Sequence, residues 1–167
     1  MNIVLCGMMG AGKTIVGELL ANTLGWAWTD TDEMITAQYG AISEIFEKKG
    51  ETYFRDLEMQ TVKTLTQKDR LVISTGGGIV LREENITLLK ENGIIVYLRA
   101  KKETLVKRLQ GNENRPLLKT ENVNEKIDEL LKARKELYER VADFVVDTDE
   151  KTPKAIAEEI LGKIKIQ

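Results

Sequence analysis

A chain of 167 residues, 42% hydrophobic and 31% charged, has the length and composition of one soluble domain that can bury a full core. Its formal net charge of −2 gives no reason to expect a nucleic-acid partner or an anionic membrane, and no apolar run approaches the ~20 residues of a membrane span. The chain has no histidine and one cysteine, which excludes histidine triads and general bases, excludes an internal disulfide and agrees with a reducing cytoplasm.

Residues 3–6 are a short apolar run that reads as a buried strand, so the chain opens on its first strand and no signal peptide is expected. Cys6, at the end of that strand, reads as a small buried packing residue. The stretch Gly7-Met8-Met9-Gly10-Ala11-Gly12-Lys13-Thr14 then fits the phosphate-cradling pattern G-x-x-x-x-G-K-[ST]. Ile15, Val16, Leu19, Leu20 and Leu24 follow at helical spacing, and Gly25 offers a stop. Strand, glycine loop and helix together are what the chemistry needs. Glycines let backbone N–H groups approach phosphates, and the helix N-terminus adds a favourable dipole. Lys13 can reach the terminal phosphates and the Thr14 hydroxyl is placed to ligate Mg²⁺, so this loop is read as binding a nucleoside triphosphate.

A second strand over 26–29 ends in Asp30-Thr31-Asp32. One of these carboxylates can hold Mg²⁺ directly or through water, while the other accepts hydrogen bonds, and a proton, from a hydroxylated substrate. The alternative makes Asp30 or Thr31 the N-cap of a helix over 32–39, and the two roles are compatible. In the helix after Gly50, Phe54, Val62 and Leu65 form an apolar stripe that Arg55 and Glu58 share or border. A charge there must be paired or face a ligand, and Glu58, one turn on, can hold Arg55. The third strand, 71–74, runs into Thr75-Gly76-Gly77-Gly78, where bare backbone can approach a ligand.

A fourth strand is expected over 94–98 and a fifth over 144–146. Between them, residues 110–124 are polar and weakly periodic, the best candidate for a mobile flap. Arg108 and Arg115 flank it and could neutralise charge on a transferring phosphoryl group, or simply be solvated. Further on, Ile127, Leu130, Leu131, Tyr138 and Val141 trace an inward helix face that includes Arg134, whereas Lys132, Lys135 and Arg140 fall among solvated positions. A final helix over 153–164 carries Pro153 in its first turn.

Alternating strands and helices predict a single α/β domain, residues 1–167, with a parallel sheet covered by helices. Ligands bind beyond the carboxyl ends of such strands, so the first three strand ends would line one crevice if those strands are neighbours. Two inward arginines, Arg55 and Arg134, imply a small anion, most simply a carboxylate gripped by guanidinium forks. Structural pairing of Arg55 with Glu58 alone is the alternative.

These motifs, in this order, resemble those of the shikimate kinases nearly end to end: the glycine loop, Asp30-Thr31-Asp32, Phe54-Arg55 with Glu58, Thr75-Gly76-Gly77-Gly78, Arg115-Pro116-Leu117-Leu118, and Arg134 with Tyr138 and Ala142. The resemblance implies ATP-dependent phosphorylation of the 3-hydroxyl of shikimate, in chorismate and aromatic amino-acid biosynthesis, by a cytoplasmic monomer. It also implies a P-loop three-layer fold like that of nucleoside monophosphate kinases, with a five-stranded parallel sheet ordered 2-3-1-4-5 and a lid over 110–124. By this likeness Asp32 contacts the substrate hydroxyls and is the candidate base, while Lys13 and Arg115 stabilise the transferring phosphoryl group. Arg55, Arg134 and the Gly77 backbone hold shikimate, with Phe46 and Phe54 along its ring and Glu58 beside Arg55. ATP lies on Gly10, Ala11, Gly12, Lys13, Thr14, Ile15 and Arg115, with Arg108 and Lys151 near adenine; Mg²⁺ is held by Thr14 and, through water, by Asp30.

The chain departs from the family at two places. Trp28 stands where phenylalanine is usual, and only a packing difference is expected. Lys151 stands where arginine is frequent, and lysine cannot stack as a guanidinium does. Three rivals remain. A gluconate kinase would have less use for the Arg55 and Arg134 grip, and a nucleoside monophosphate kinase would carry a more basic acceptor site. A non-catalytic ATP-binding module would often lose residues such as Lys13, Asp30 or Asp32, all present here.

Overall fold

A computed structural model describes residues 1–110 and 122–164. Five strands form its centre: β1 (Asn2–Cys6), β2 (Ala27–Asp30), β3 (Leu71–Ser74), β4 (Gly93–Arg99) and β5 (Phe144–Asp147). They pair in parallel in the order β2-β3-β1-β4-β5, as the resemblance implied. β1 and β3 are buried along their whole length, which is why they read as unbroken apolar runs without alternation. β2 and β5 lie at the edges and keep exposed positions, so their patterns are shorter and more mixed.

Eight helices flank the sheet among the described residues: α1 (Lys13–Leu24), α2 (Thr31–Tyr39), α3 (Ile42–Lys49), α4 (Glu51–Thr66), α5 (Glu83–Glu91), α6 (Lys102–Leu109), α7 (Val123–Val141) and α8 (Pro153–Lys163). Their ends follow local chemistry. Gly25 stops α1 in the left-handed region at φ 67°, where its N–H reaches the carbonyls of Ala21 and Asn22. Thr152 caps α8 through the Ala155 N–H, with Pro153 in the first turn. No helix among the described residues is long and apolar enough to cross a membrane. Cys6 is buried, as expected of a packing residue.

Among the described residues, two apolar clusters hold the elements together. The larger joins the sheet to the long helices through residues such as Val16, Leu20, Ile73, Val96, Leu105 and Ile160. A smaller one, Ile35, Ile45, Phe54 and Leu57, fastens α2, α3 and α4 to one another. The register then sets the site. Ser74 pairs with Leu5 on one side and with Asp30 on the other, so β1, β3 and β2 end level. The glycine loop after β1, the acidic pair after β2 and the glycine run after β3 therefore emerge side by side.

Of the flap expected over 110–124, residues 111–121 lie outside the described residues, and its last two positions belong to α7. Arg115 lies outside them too.

Candidate active site

The loop after β1 depends on glycine where the backbone turns left-handed. Gly10 and Gly12 have φ of 83° and 96°, and Gly12 is the residue on which α1 begins. Ala11 is buried beneath the loop, while Thr14 and Ile15 are exposed on the first turn of α1. The Lys13 ammonium folds back over the loop, donating to the carbonyls of Gly7 at 2.6 Å and Met8 at 3.0 Å. Arg108 is anchored to the same loop. Its Nη1 donates to the carbonyls of Gly10 at 3.1 Å and Ala11 at 3.4 Å and to Thr148 Oγ1 at 3.2 Å, while Nη2 reaches the Thr148 carbonyl at 3.0 Å. It thereby ties the glycine loop to the segment after β5. Nearby, the Lys151 ammonium is engaged by Glu159 of α8 at 2.6 Å.

At the end of β2, Asp30 caps α2. Its Oδ1 accepts from the Asp32 N–H at 2.8 Å and the Glu33 N–H at 3.2 Å, the capping role weighed against metal binding in the sequence. Thr31 is buried and its Oγ1 accepts from the Gly76 N–H at 2.9 Å, bracing the head of α2 against the glycine run. Sequence reasoning gave Thr31 no such part; the only signal was a β-branched hydroxyl wedged between two candidate carboxylates.

Arg55 and Glu58 occupy the inner face of α4. Arg55 Nη1 donates to Glu58 Oε2 at 2.7 Å and Nη2 to Glu51 Oε1 at 3.3 Å. Burial pushes the Glu58 carboxyl above the usual carboxylate range, with Arg55 opposing that shift, Asp32 adding to it and Arg134 opposing it. Glu58 thus feels all three charged groups of the acceptor side. Arg55 Nε and Glu58 Oε1 are buried without a hydrogen-bond partner among the described residues. Phe54 is buried in the smaller cluster, with Phe46 half-buried beside it, their ring centroids 4.9 Å apart. Only Phe46 retains an open edge toward solvent.

Arg134 is buried on the inner face of α7, as its spacing predicted, while Lys132, Lys135 and Arg140 are exposed. One turn on, the Tyr138 hydroxyl donates to the Gly77 carbonyl at 2.5 Å, and its ring stacks on Tyr97. The glycine run is where these parts meet. A Cβ at Gly76 would lie 2.5 Å from Asp32 Oδ1, one at Gly77 3.2 Å from Arg134 Nη1, and one at Gly78 would collide with Arg55 Nη1. Each glycine makes room for one charged side chain, a steric reason that the sequence reading of backbone approach did not contain.

Trp28 does more than pack. Its indole N–H donates to Ser74 Oγ at 3.0 Å, which corrects the expectation of a packing difference alone.

The crevice thus has two sides. One is a glycine loop with a lysine and a hydroxyl, suited to the phosphates of a nucleotide. The other sets an aspartate beside two buried arginines, suited to a small hydroxylated acid. Between them the arrangement can carry out phosphoryl transfer, which asks mainly for positioning and charge stabilisation and needs no histidine.

The comparisons with known proteins agree with this geometry. The family model for shikimate kinase matches residues 9–165. A shikimate kinase of Thermodesulfovibrio yellowstonii is 52% identical over 161 residues, covering 96% of this chain and 92% of its own. One from a Sulfurihydrogenibium species is 44% identical over 165 residues, 98% of each chain. The structure of shikimate kinase from Acinetobacter baumannii in complex with shikimate superposes with a TM-score of 0.92 at 42% identity, covering 97% of this chain and 91% of that one.

Proposed function

The chain belongs to the shikimate kinase family and phosphorylates shikimate at the expense of ATP, and on that premise we propose how its residues divide the work. The observation that carries the assignment is the buried Arg55–Glu58 pair, with Arg134 across the glycine run, set level with the phosphate loop. Arg55 and Arg134 grip the shikimate carboxylate, the Gly77 backbone and Asp32 take the ring hydroxyls, and Phe46 and Phe54 border the ring. Glu58 holds the Arg55 fork in place.

Asp32 accepts the proton of the 3-hydroxyl as that oxygen bonds to the γ-phosphorus of ATP. The bond from that phosphorus to the bridging oxygen breaks, and ADP departs. Lys13 leaves the carbonyls it now holds and meets the charge on the transferring group, together with Arg115. Gly10, Ala11, Gly12, Thr14 and Ile15 cradle the phosphates, and Arg108 keeps the loop in shape at the adenine end. Lys151, engaged by Glu159, keeps an adenine-facing role only if that ion pair opens.

A divalent cation fits the donor set. Mg²⁺ keeps several waters, so it would ask for only one or two protein oxygens. The exposed Thr14 hydroxyl and, through water, the Asp30 carboxylate at the head of α2 offer them. When bound, the ion neutralises phosphate charge. On this reading the enzyme is a cytoplasmic monomer, and a lone, buried thiol accords with a reducing compartment.

The test is ADP release with shikimate, gluconate and a nucleoside monophosphate as acceptors, for the parent and for Asp32→Asn. Shikimate alone should stimulate the parent strongly. Asp32→Asn should lose nearly all turnover and keep ATP binding. Stimulation by gluconate or the nucleotide but not by shikimate would overturn the assignment, and near-normal rates in the variant would remove Asp32 as the base.

A further inference from the structure

Trp28 lies on β2 and packs against the main core. Its indole N–H donates to Ser74 Oγ at 3.0 Å, and the Ser74 hydroxyl donates in turn to the Lys13 carbonyl at 2.7 Å. One hydroxyl on β3 therefore joins β2 to the first turn of α1. The approach is possible because residue 17 is glycine. A Cβ there would lie 2.6 Å from both Ser74 Oγ and Trp28 Nε1, and 2.9 Å from Trp28 Cδ1. Gly17 follows Lys13 by one helical turn, so α1 presents its bare face where the relay passes.

The direction of the relay matters. A serine hydroxyl has one proton to donate and two lone pairs to accept with. Acceptance from the indole occupies a lone pair and steers the single proton toward the Lys13 carbonyl. Ser74 is fully buried, so no bulk water competes for either bond. The three joined residues each stand at the root of a part of the site. Asp30 and Asp32 follow Trp28 along the chain, Thr75 and the glycine run follow Ser74, and Thr14 follows Lys13.

We propose that Trp28 is a positioning residue of the reaction: through Ser74 it fixes the Lys13 backbone, and with it the Lys13 ammonium and the Thr14 hydroxyl, relative to Asp30 and Asp32. This rests on the assignment of Lys13 and Thr14 to the donor side and of Asp32 to the acceptor side. The shikimate carboxylate is gripped by Arg55 on α4 and Arg134 on α7, which the relay does not touch, so KM for shikimate depends on the relay less than the donor side does.

The test is a double-mutant cycle of Trp28→Phe and Ser74→Ala, followed by kinetics in both substrates, ADP affinity by calorimetry and thermal unfolding. Each single change should lower kcat/KM for ATP about five- to tenfold, leaving KM for shikimate within about twofold. The double variant should be no worse than the poorer single, because both cut one chain of bonds. An unchanged kcat/KM for ATP in Trp28→Phe, additive losses, or a KM for shikimate that rises beyond about twofold would overturn the proposal. If Trp28→Phe does not fold, Ser74→Ala decides alone, on the same split between the substrates. Shikimate-dependent turnover of the parent, measured alongside, tests the functional assignment separately, and ADP affinity reads the relay even if that assignment fails.

Discussion

Arg55 is oriented before any ligand arrives. Glu58 and Glu51 take its two terminal nitrogens, and the pair with Glu58 is almost wholly out of water. Its Nε and the second Glu58 oxygen are nonetheless buried without partners among the described residues. An unmet buried polar group costs about 1–3 kcal/mol, a cost that a bound carboxylate with its hydroxylated ring can recover. Replacing Arg55 by lysine leaves a point charge where a fork was, so the proposed bidentate grip would be lost while the positive charge remains. KM for shikimate in Arg55→Lys should rise roughly ten- to hundredfold, with KM for ATP at saturating shikimate unchanged. Steady-state kinetics in both substrates check this, and a loss confined to ATP would refute the carboxylate grip. The inward placement of Arg55, Glu58 and Arg134 was legible in the sequence because helical spacing alone puts them on apolar faces. The fate of Lys151 was not. Its partner Glu159 sits on the next helix across a turn, a pairing that no periodicity encodes.

The glycine run after β3 works as an element, with each residue sized by a different neighbour. Thr31 accepts from its first N–H and Tyr138 donates to its second carbonyl, so the turn is held from α2 and from α7 at once. Gly78 separates sterics from backbone strain. Its φ is −89°, which any residue can adopt, so only the collision with the Arg55 guanidinium opposes a side chain there. Gly78→Ala should displace Arg55, weaken shikimate binding by at least about tenfold and cost about 1–3 kcal/mol of stability, with ADP binding retained. Calorimetric titration with each ligand and thermal unfolding measure these, and unaltered shikimate affinity would show that Arg55 yields without consequence. Strands and helices were readable because their periods are local, and the sheet order came through the family likeness. What three consecutive glycines accommodate is tertiary information, since Asp32, Arg134 and Arg55 come from three separate helices. For the same reason Trp28 read as packing: its acceptor Ser74 lies 46 residues away.

Across the whole molecule, the sheet buries its middle strands on both faces and takes the only thiol with it. Burial pushes Cys6 from 9.0 up to about 12, a rise that Lys13 only partly opposes. The folded state then keeps a proton that the unfolded chain releases. Stability from this group is fully present below pH 9.0 and is lost as pH climbs from there toward about 12. The slope tends to about 1.4 kcal/mol per pH unit. Tyr97, raised from 10.0 to about 12, and Tyr138, raised further, both by burial, add to the loss as pH rises through 10.0. Urea unfolding should therefore show stability falling between pH 9.0 and 10.0 in the parent, and that portion of the slope should drop by roughly half in Cys6→Ala whatever the variant's stability at neutral pH. The same burial predicts that Ellman's reagent at pH 8 labels Cys6 only through the unfolded chain, at a rate that rises in urea in proportion to the unfolded fraction. Rapid stoichiometric labelling of the native enzyme, or an alkaline slope unchanged in Cys6→Ala, would mean that the sheet opens at β1 without global unfolding, and the phosphate loop that β1 carries would open with it.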